Sequence, residues 1–231
     1  MNTIKILDIG AANHKIENRW RFLGKKIEVI LFEPDERSFL KLKYSGHEVY
    51  NFALGAKPTV DQLNLTRKPE CSSFLMPNTD YLNKFPNKER WDILDSVDIQ
   101  VRSLDSFSLD LDFIKLDTQG SELDILKGST ETLKNVLGLE VEVSFVEIYK
   151  NQPLFGAINQ FLLNNGFEFF DFNVEYRYGR QKLNRKGQLA FADALFLKTP
   201  ETVKKMTPEK RENYISIVKA HNKEDLALCL K

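Results

Sequence analysis

An α/β fold with a doubly wound, mostly parallel sheet is what this sequence predicts, and three observations predict it. The first is the stretch from Phe113 to Gly128. Its apolar run Phe113-Ile114-Lys115-Leu116 is of strand length, ends in Asp117 and breaks at Gly120. Leu123 and Leu126 then supply a helical apolar stripe. Ser121 with Asp124 three residues on has the spacing of a capping box, and Gly128 is placed to stop the helix. The second observation is the alternation of short apolar runs with helical patterns through the first 55 residues. The third is chemical: Asp8, Glu33 and Asp117 lie at the ends of such runs, where open α/β sheets present their ligand sites.

The elements follow in order. Ile4 to Ile9 reads as a buried parallel strand closed by Gly10-Ala11-Ala12, and Ile27 to Phe32 as a second, ending in Glu33-Pro34. Residues 13 to 24 form the crossover between them, with Trp20, Phe22 and Leu23 available to pack but few helix signals. Asp35 to Tyr44 carries Phe39, Leu40 and Leu42 at near-helical spacing, with Gly46 as stop. Val49 to Gly55 completes a βαβαβ run, whose crossovers are right-handed. Residues 56 to 105 break the rhythm: Val60 to Leu65 and Val97 to Leu104 alternate as a hairpin-like pair around a long polar loop with Pro69, Pro77 and Pro86. Val136 to Val146 is a fifth strand, and Pro153 opens an amphipathic helix with Leu154, Ile158, Phe161 and Leu162 on one face and Gly166 at its end. Phe167 to Phe172 and Ala190 to Leu197 read as an antiparallel hairpin closing the sheet. Thr199-Pro200-Glu201 and Thr207-Pro208-Glu209 each set a threonine cap before a first-turn proline and an acid, so two helices are expected in the tail.

Composition narrows the classes. At 231 residues the chain fits one large α/β domain with a small appendage, and a 42% hydrophobic share builds a core. Thirty-three basic residues against thirty-three acidic ones argue against wholesale nucleic-acid or membrane-surface binding. Cys71 and Cys229 make no metal or redox motif, and no apolar run approaches membrane-spanning length. A cytoplasmic protein is the expectation.

An acid at the end of the second strand, 25 residues after Asp8, is placed to accept both hydroxyls of a ribose, while a glycine after the first strand lets the backbone approach a ligand closely. A dinucleotide needs further glycines for its pyrophosphate, and Gly10-Ala11-Ala12-Asn13-His14-Lys15 lacks them. A ribose ligand without a pyrophosphate fits better, and S-adenosylmethionine is the common one. A tight turn with a strand-end acid paired to a lysine is the purely structural alternative.

Asp8-Ile9-Gly10-Ala11, Phe32-Glu33-Pro34, Ala53-Leu54-Gly55, Ser72-Ser73, Leu104-Asp105 and above all Ile114-Lys115-Leu116-Asp117-x-x-Gly120-x-Glu122-x-x-x-Leu126-Lys127-Gly128 resemble the FkbM-type methyltransferases. The resemblance runs through residues 4 to 197 in order. It implies a class I, Rossmann-like fold with a seven-stranded sheet whose last strand is antiparallel. It also implies methyl transfer from S-adenosylmethionine, usually to the hydroxyl of a sugar, polyketide or similar small molecule. By this likeness Asp8 and Gly10, with Ala11 beside them, border the methionine part of the cofactor. Glu33 holds the ribose, Ala53 and Leu54 flank the adenine, Asp117 lies near the methionine end or the acceptor, and Ser72 and Ser73 sit in an acceptor-facing loop. The departure is at His14 or Lys15, about where family members carry another glycine.

An alcohol acceptor needs a base or a metal. Asp117 with Glu142 is the expected base or metal pair, and Mg²⁺ is the candidate ion. Glu140 and Glu142, two apart on one strand face, are read either as a salt-bridge cluster or as an acceptor or ion site. Glu122 belongs to the first turn of its helix or takes part in catalysis. His14 is read as a solvent-facing loop residue that could reach the ligand, and His47 as a turn residue. Arg177, Arg180, Lys182, Arg185 and Lys186 with Tyr176 and Tyr178 form either a solvated tip or a contact for an anionic acceptor. The expected organisation is a methyltransferase domain over residues 1–198, with an insertion at about 56–105, and a helical appendage over 199–231 that packs on the domain or joins copies into a homo-oligomer. Two rivals share the fold: a catalytically inactive binding scaffold and a nicotinamide-dependent oxidoreductase.

Overall fold

The computed structural model describes residues 3–12, 14–15, 18–21, 23–180 and 187–230. The first half runs β1 (Thr3–Ile9), α1 (Asn18–Arg21), β2 (Lys26–Phe32), α2 (Glu36–Leu42), β3 (Glu48–Tyr50), β4 (Ala53–Leu54), β5 (Thr59–Thr66), α3 (Thr79–Leu82) and β6 (Ile93–Arg102). The second runs β7 (Phe113–Leu116), α4 (Glu122–Lys127), α5 (Thr130–Leu133), β8 (Gly138–Ser144), α6 (Phe155–Asn164), β9 (Phe167–Tyr178) and β10 (Gln188–Lys198). Helices α7 (Pro200–Val203), α8 (Pro208–Ala220) and α9 (Glu224–Leu228) end it. Among the described residues, seven strands form one sheet in the order β3-β2-β1-β7-β8-β10-β9, and three form a second in the order β4-β6-β5. In the large sheet every neighbouring pair is parallel except those made by β10, the last strand, which runs antiparallel to both β8 and β9.

Both faces of this sheet are covered, which is why its strands read as unbroken apolar runs. Leu7, Ile9, Ile114, Leu116, Leu139 and Val141 point to α4, α5 and α6. Ile4, Ile6, Val29, Leu31, Phe113 and Leu195 point to the other side, where Trp20, Val203, Tyr214, Ile217 and Val218 close over them. The tail helices therefore lie against the domain as the cover of one sheet face. Their threonine caps form as expected: Thr199 Oγ1 accepts from the Thr202 N–H at 3.2 Å and Thr207 Oγ1 from the Lys210 N–H at 3.3 Å. No helix among the described residues is long and apolar enough to cross a membrane.

Four local expectations are corrected. The third strand, expected from Val49 to Gly55, splits into β3 at the edge of the large sheet and β4 in the small one. The Asn51 side chain causes the break by donating to the carbonyls of Glu33 at 2.9 Å and Pro34 at 3.3 Å, where a ladder would continue. The insertion is not a bare loop between β5 and β6. It holds α3 and two 3₁₀ turns around a separate apolar cluster of Cys71, Leu82, Trp91, Ile148 and Tyr149. Strand β9 extends through Tyr178, so Tyr176, Arg177 and Tyr178 belong to the sheet rather than to a tip. Tyr176 stacks on Phe191 at 4.4 Å, and Arg177 pairs with Glu175 at 3.0 Å. Lys182, Arg185 and Lys186, like Phe22 in the first crossover, lie outside the described residues. Finally, Ser121 makes no side-chain cap on α4.

Candidate active site

Strand order reverses between β1 and β7, so their connections leave in opposite directions and open a crevice at their carboxyl ends. A cleft of ≈ 850 Å³, counting the space at its mouth, lies there. It is lined by Asp8, Gly10, Ala11, Glu33, Ala53, Leu54 and Asp117, among others. The structure thus gathers all six residues expected to hold a cofactor, and one of the two expected catalytic acids, around one cavity. Glu142 stands just behind the wall, joined to Asp117 through Gln119.

Gly10 sets the narrow end. Its φ is +81°, and a Cβ there would lie 1.8 Å from the carbonyl oxygen of Asp117, so any side chain forces β1 and β7 apart. Its N–H and that of Ala11 both donate to the Phe32 carbonyl, at 3.0 and 3.2 Å, which folds the turn back onto β2. Asp8 is 3% exposed. His14 Nδ1 is 2.6 Å from its Oδ2, while Lys115 Nζ lies 3.9 Å from its Oδ1, beyond hydrogen-bond reach. Asp8 Oδ1 has no hydrogen-bond partner among the described residues. His14, expected to face solvent, instead turns into the cleft against Asp8, with His47 edge-on to its ring at 5.2 Å.

Glu33 is 4% exposed and accepts the Asp35 N–H on Oε1 at 2.8 Å. Burial pushes its carboxyl up to about 8, against the pull of that one hydrogen bond. Asp35 in turn caps α2 and is clamped by Arg37 and by Ser72, whose Oγ lies 3.2 Å from it. Ser73 Oγ donates to the carbonyl of Gln119 at 2.7 Å and accepts the Leu75 N–H at 3.0 Å. The two serines thus tie the insertion to both walls of the cleft.

The turn after β7 shows why Glu122 is structural. With no cap from Ser121, the buried Glu122 carboxylate accepts the N–H groups of Thr118 at 2.8 Å and Gly120 at 3.0 Å, and the Thr118 hydroxyl at 3.1 Å. Its carboxylate thus serves the turn that the missing Ser121 cap leaves open.

Asp8, Lys115, Glu140 and Glu142 share the sheet face that the tail helices cover farther down, but they sit past that cover (register Asp8↔Lys115↔Glu140). Glu140 is fully committed. Arg19 holds it with two hydrogen bonds of 2.7 and 2.9 Å, and Asn173 donates to it as well. The His221 ring beside Arg19 is pushed down to about 3 by burial and by the Arg19 and Lys223 charges, so it stays neutral and Arg19 is the partner that counts. The salt-bridge reading of Glu140 holds. Among the described residues no cation pairs with Glu142: it takes a 3.1 Å hydrogen bond from Gln119 and faces Asp193 across the ladder. Burial drives its carboxyl well up, and the Asp117, Glu122 and Asp193 charges add to this. Burial raises Asp117 too, although Lys115 and the Gln119 amide pull it back. Opposing its own burial, the Lys115 ammonium is held in its charged form by Asp8, Asp117 and Glu140.

The space a cation would take between Asp117 and Glu142 is filled by the Gln119 amide, whose Nε2 lies 2.7 Å from Asp117 Oδ1. Among the described residues, no group of three or more His, Cys, Asp or Glu side chains is arranged to hold a metal ion. Gln119 and Lys115 are the site residues that the sequence reading did not single out. Lys115 had a signal, a charge inside an apolar strand. Gln119 had none beyond its place before Gly120.

Residues 8–169 match the family described as the methyltransferase FkbM domain. Among solved structures, the chain is similar to the magnesium protoporphyrin IX methyltransferase of Synechocystis PCC 6803 with bound SAM. Identity is 9% and the TM-score 0.41, over 85% of this chain and 71% of that one. It is also similar to a SAM dependent methyltransferase from Aquifex aeolicus, at 15% identity and a TM-score of 0.38, over 84% and 82% of the two chains. No curated protein sequence matches it. The family match takes in the carboxyl end of β1, the cleft acids Asp8 and Glu33, the insertion and the whole β7 turn, and on that span the chain belongs to the FkbM methyltransferase family.

Proposed function

We propose that the protein transfers a methyl group from S-adenosylmethionine to a hydroxyl of a small molecule or sugar. The observation that carries this reading is the pair of buried acids in one cleft, each with acceptor capacity to spare among the described residues: Asp8, whose Oδ1 has no partner there, and Glu33, which receives one backbone N–H. A buried carboxylate oxygen without a donor costs free energy until a ligand supplies one. The cofactor's ammonium and ribose hydroxyls are such donors, and its residues fit: Asp8 would take the ammonium and Glu33 the diol. Phe52, Ala53, Leu54 and Leu63 give the apolar slot that an adenine needs.

The cofactor supplies a methyl carbon activated by a sulfonium. The chain's own part is alignment, exclusion of water and removal of the acceptor's proton. Asp117 lines the cleft and is the group placed to take that proton, and its raised affinity for protons suits a base working near neutral pH. The Asp8 charge raises that affinity further by repulsion.

Calorimetric titration with S-adenosylmethionine and S-adenosylhomocysteine, with NADH as control, tests the reading. Micromolar binding of the first two without NADH is the expected result. No binding by a folded protein would make it a scaffold, and NADH binding would make it an oxidoreductase. Transfer of labelled methyl to nitrogen rather than oxygen acceptors would overturn the hydroxyl specificity.

A further inference from the structure

The cofactor ends in an α-amino acid, whose ammonium and carboxylate leave the same carbon. A site that takes the ammonium on Asp8 therefore needs a cation close by for the carboxylate. The cleft is rich in acids, with Asp8, Glu33, Asp35, Glu70 and Asp117 in its lining. Among the described lining residues, Lys115 is the one lysine or arginine. The register of β1 against β7 sets it directly beside Asp8. Its side chain is 35% exposed, and its one ion-pair contact among the described residues is Asp8 Oδ1, 3.9 Å from Nζ. That is too far for a hydrogen bond, and the ammonium makes none to any described residue. The donors of Lys115 and the unpartnered Asp8 Oδ1 thus stand side by side without satisfying each other. Other cations nearby are committed or turned elsewhere. Arg19 is bound to Glu140, and Lys15 lines a smaller neighbouring hollow rather than the cleft.

We propose that Lys115 is a cofactor-binding residue whose ammonium holds the α-carboxylate of the cofactor's amino-acid end, next to the ammonium on Asp8, so that the site selects a ligand bearing both charges. This deepens the methyltransferase reading and rests on it for the identity of the ligand. An acid and a cation 3.9 Å apart match the two charged groups of one α-carbon. Selection is needed because of the acids. Without its carboxylate the same ligand is more positive, and a cleft lined by carboxylates favours that form. Lys115 offsets this preference. Burial works against its charge, while Asp8, Asp117 and Glu140 keep it. Their own hydrogen bonds go elsewhere: Asp8 takes His14, Asp117 takes the Gln119 amide, and Glu140 takes Arg19. The charge of Lys115 is held, and its donors are left for a ligand. A lysine that only neutralised these acids would matter equally to ligands with and without a carboxylate, and that difference separates the two roles.

S-adenosylhomocysteine and S-adenosyl-3-thiopropylamine make the test, because they differ only in that carboxylate. Calorimetry should show the wild type binding the first about tenfold or more tightly than the second. Lys115→Gln should weaken S-adenosylhomocysteine by about 10- to 100-fold and leave the amine as tightly bound as before, or more so. The preference is then abolished or reversed. Equal affinities in the wild type, or equal losses for both ligands in folded Lys115→Gln, overturn the proposal and leave Lys115 a counter-charge for the acids around it. Should Lys115→Gln fail to fold, the lysine ¹³Cε signals of the wild type decide. The Lys115 signal, assigned by its loss in Lys115→Arg, should move well beyond its response to the amine when S-adenosylhomocysteine is added. Equal movement with both ligands overturns the proposal. If neither ligand binds the folded wild type, the methyltransferase reading fails and the role of Lys115 falls with it. Binding of both without preference fails Lys115 alone.

Discussion

Asp112 and Asp117 flank the same strand, with the four residues of β7 between them, and their surroundings are opposite. Asp112 is saturated. Its carboxylate accepts the Lys5 N–H at 2.9 Å, the Lys210 ammonium at 2.9 Å and the Asn213 amide at 3.1 Å, so it ties β1, β7 and α8 into one knot. Asp117 shares a single neutral amide with a second acid and stands among further carboxylates. Burial alone therefore does not separate a structural acid from a chemical one; the count of donors does. The same contrast recurs two residues apart on β8, where Glu140 is bound by Arg19 and Glu142, among the described residues, by no cation.

The comparison breaks most visibly through activity. Asp117→Asn should lower methyl transfer roughly 100- to 10,000-fold, as expected for loss of a general base, and leave cofactor affinity within a few-fold. It should not cost stability. A carboxyl whose proton affinity is raised by folding stabilises the protein fully only below its ordinary titration range, and that contribution is lost as pH rises. Asparagine has no charge to bury, so at pH 8 the variant should melt at or above the wild-type temperature. A marked fall in melting temperature would place Asp117 with Asp112.

Asp112→Ala should do the reverse, costing about 3 kcal/mol and lowering the melting point by roughly 6–12 °C, with cofactor affinity unchanged. The loss falls short of the full penalty because Lys210 keeps the exposed Asp110, 3.0 Å away. Glu33 comes next. Its carboxyl is raised to about 8, so binding a diol through the charged form must release a proton. S-adenosylhomocysteine affinity should therefore climb from pH 6 to about 8, by up to about tenfold per unit, and level off above. Glu33→Gln should flatten that profile and weaken binding at pH 8 by about 10- to 100-fold, as calorimetry across pH would show. A flat wild-type profile would remove Glu33 from the ribose.

What was legible in the sequence follows the range over which each signal acts. Strand-length apolar runs and the acids Asp8, Glu33 and Asp117 at their ends are local, and together they placed the cleft. The threonine caps at Thr199 and Thr207 are local too. The Ser121–Asp124 pair misled because a capping-box spacing does not say which carboxylate reaches the turn, and here it is Glu122, the residue after Ser121, that does. That Glu140 is committed to a salt bridge rests on Arg19, 121 positions away along the chain, which no local pattern records. The break at Asn51 and the role of Gln119 depend on side chains bonding across elements, which no periodicity records.

The smallest effect isolates the closed end of β7 without touching a charge. Thr207 caps α8, the helix that delivers Lys210 and Asn213 to Asp112, and Thr207→Ala removes only the hydroxyl that accepts the Lys210 N–H. The expected cost is about 1 kcal/mol, a fall of roughly 2–4 °C in melting temperature, with faster amide exchange in the first turn of α8. Cofactor affinity should be untouched, because the knot at Asp112 and the open pair at Asp117 are joined only through a strand whose backbone is held on both sides by β1 and β8. A loss of affinity matching the loss of stability would mean that the amino end of β7 sets the geometry at its carboxyl end, and the two acids would then be parts of one device.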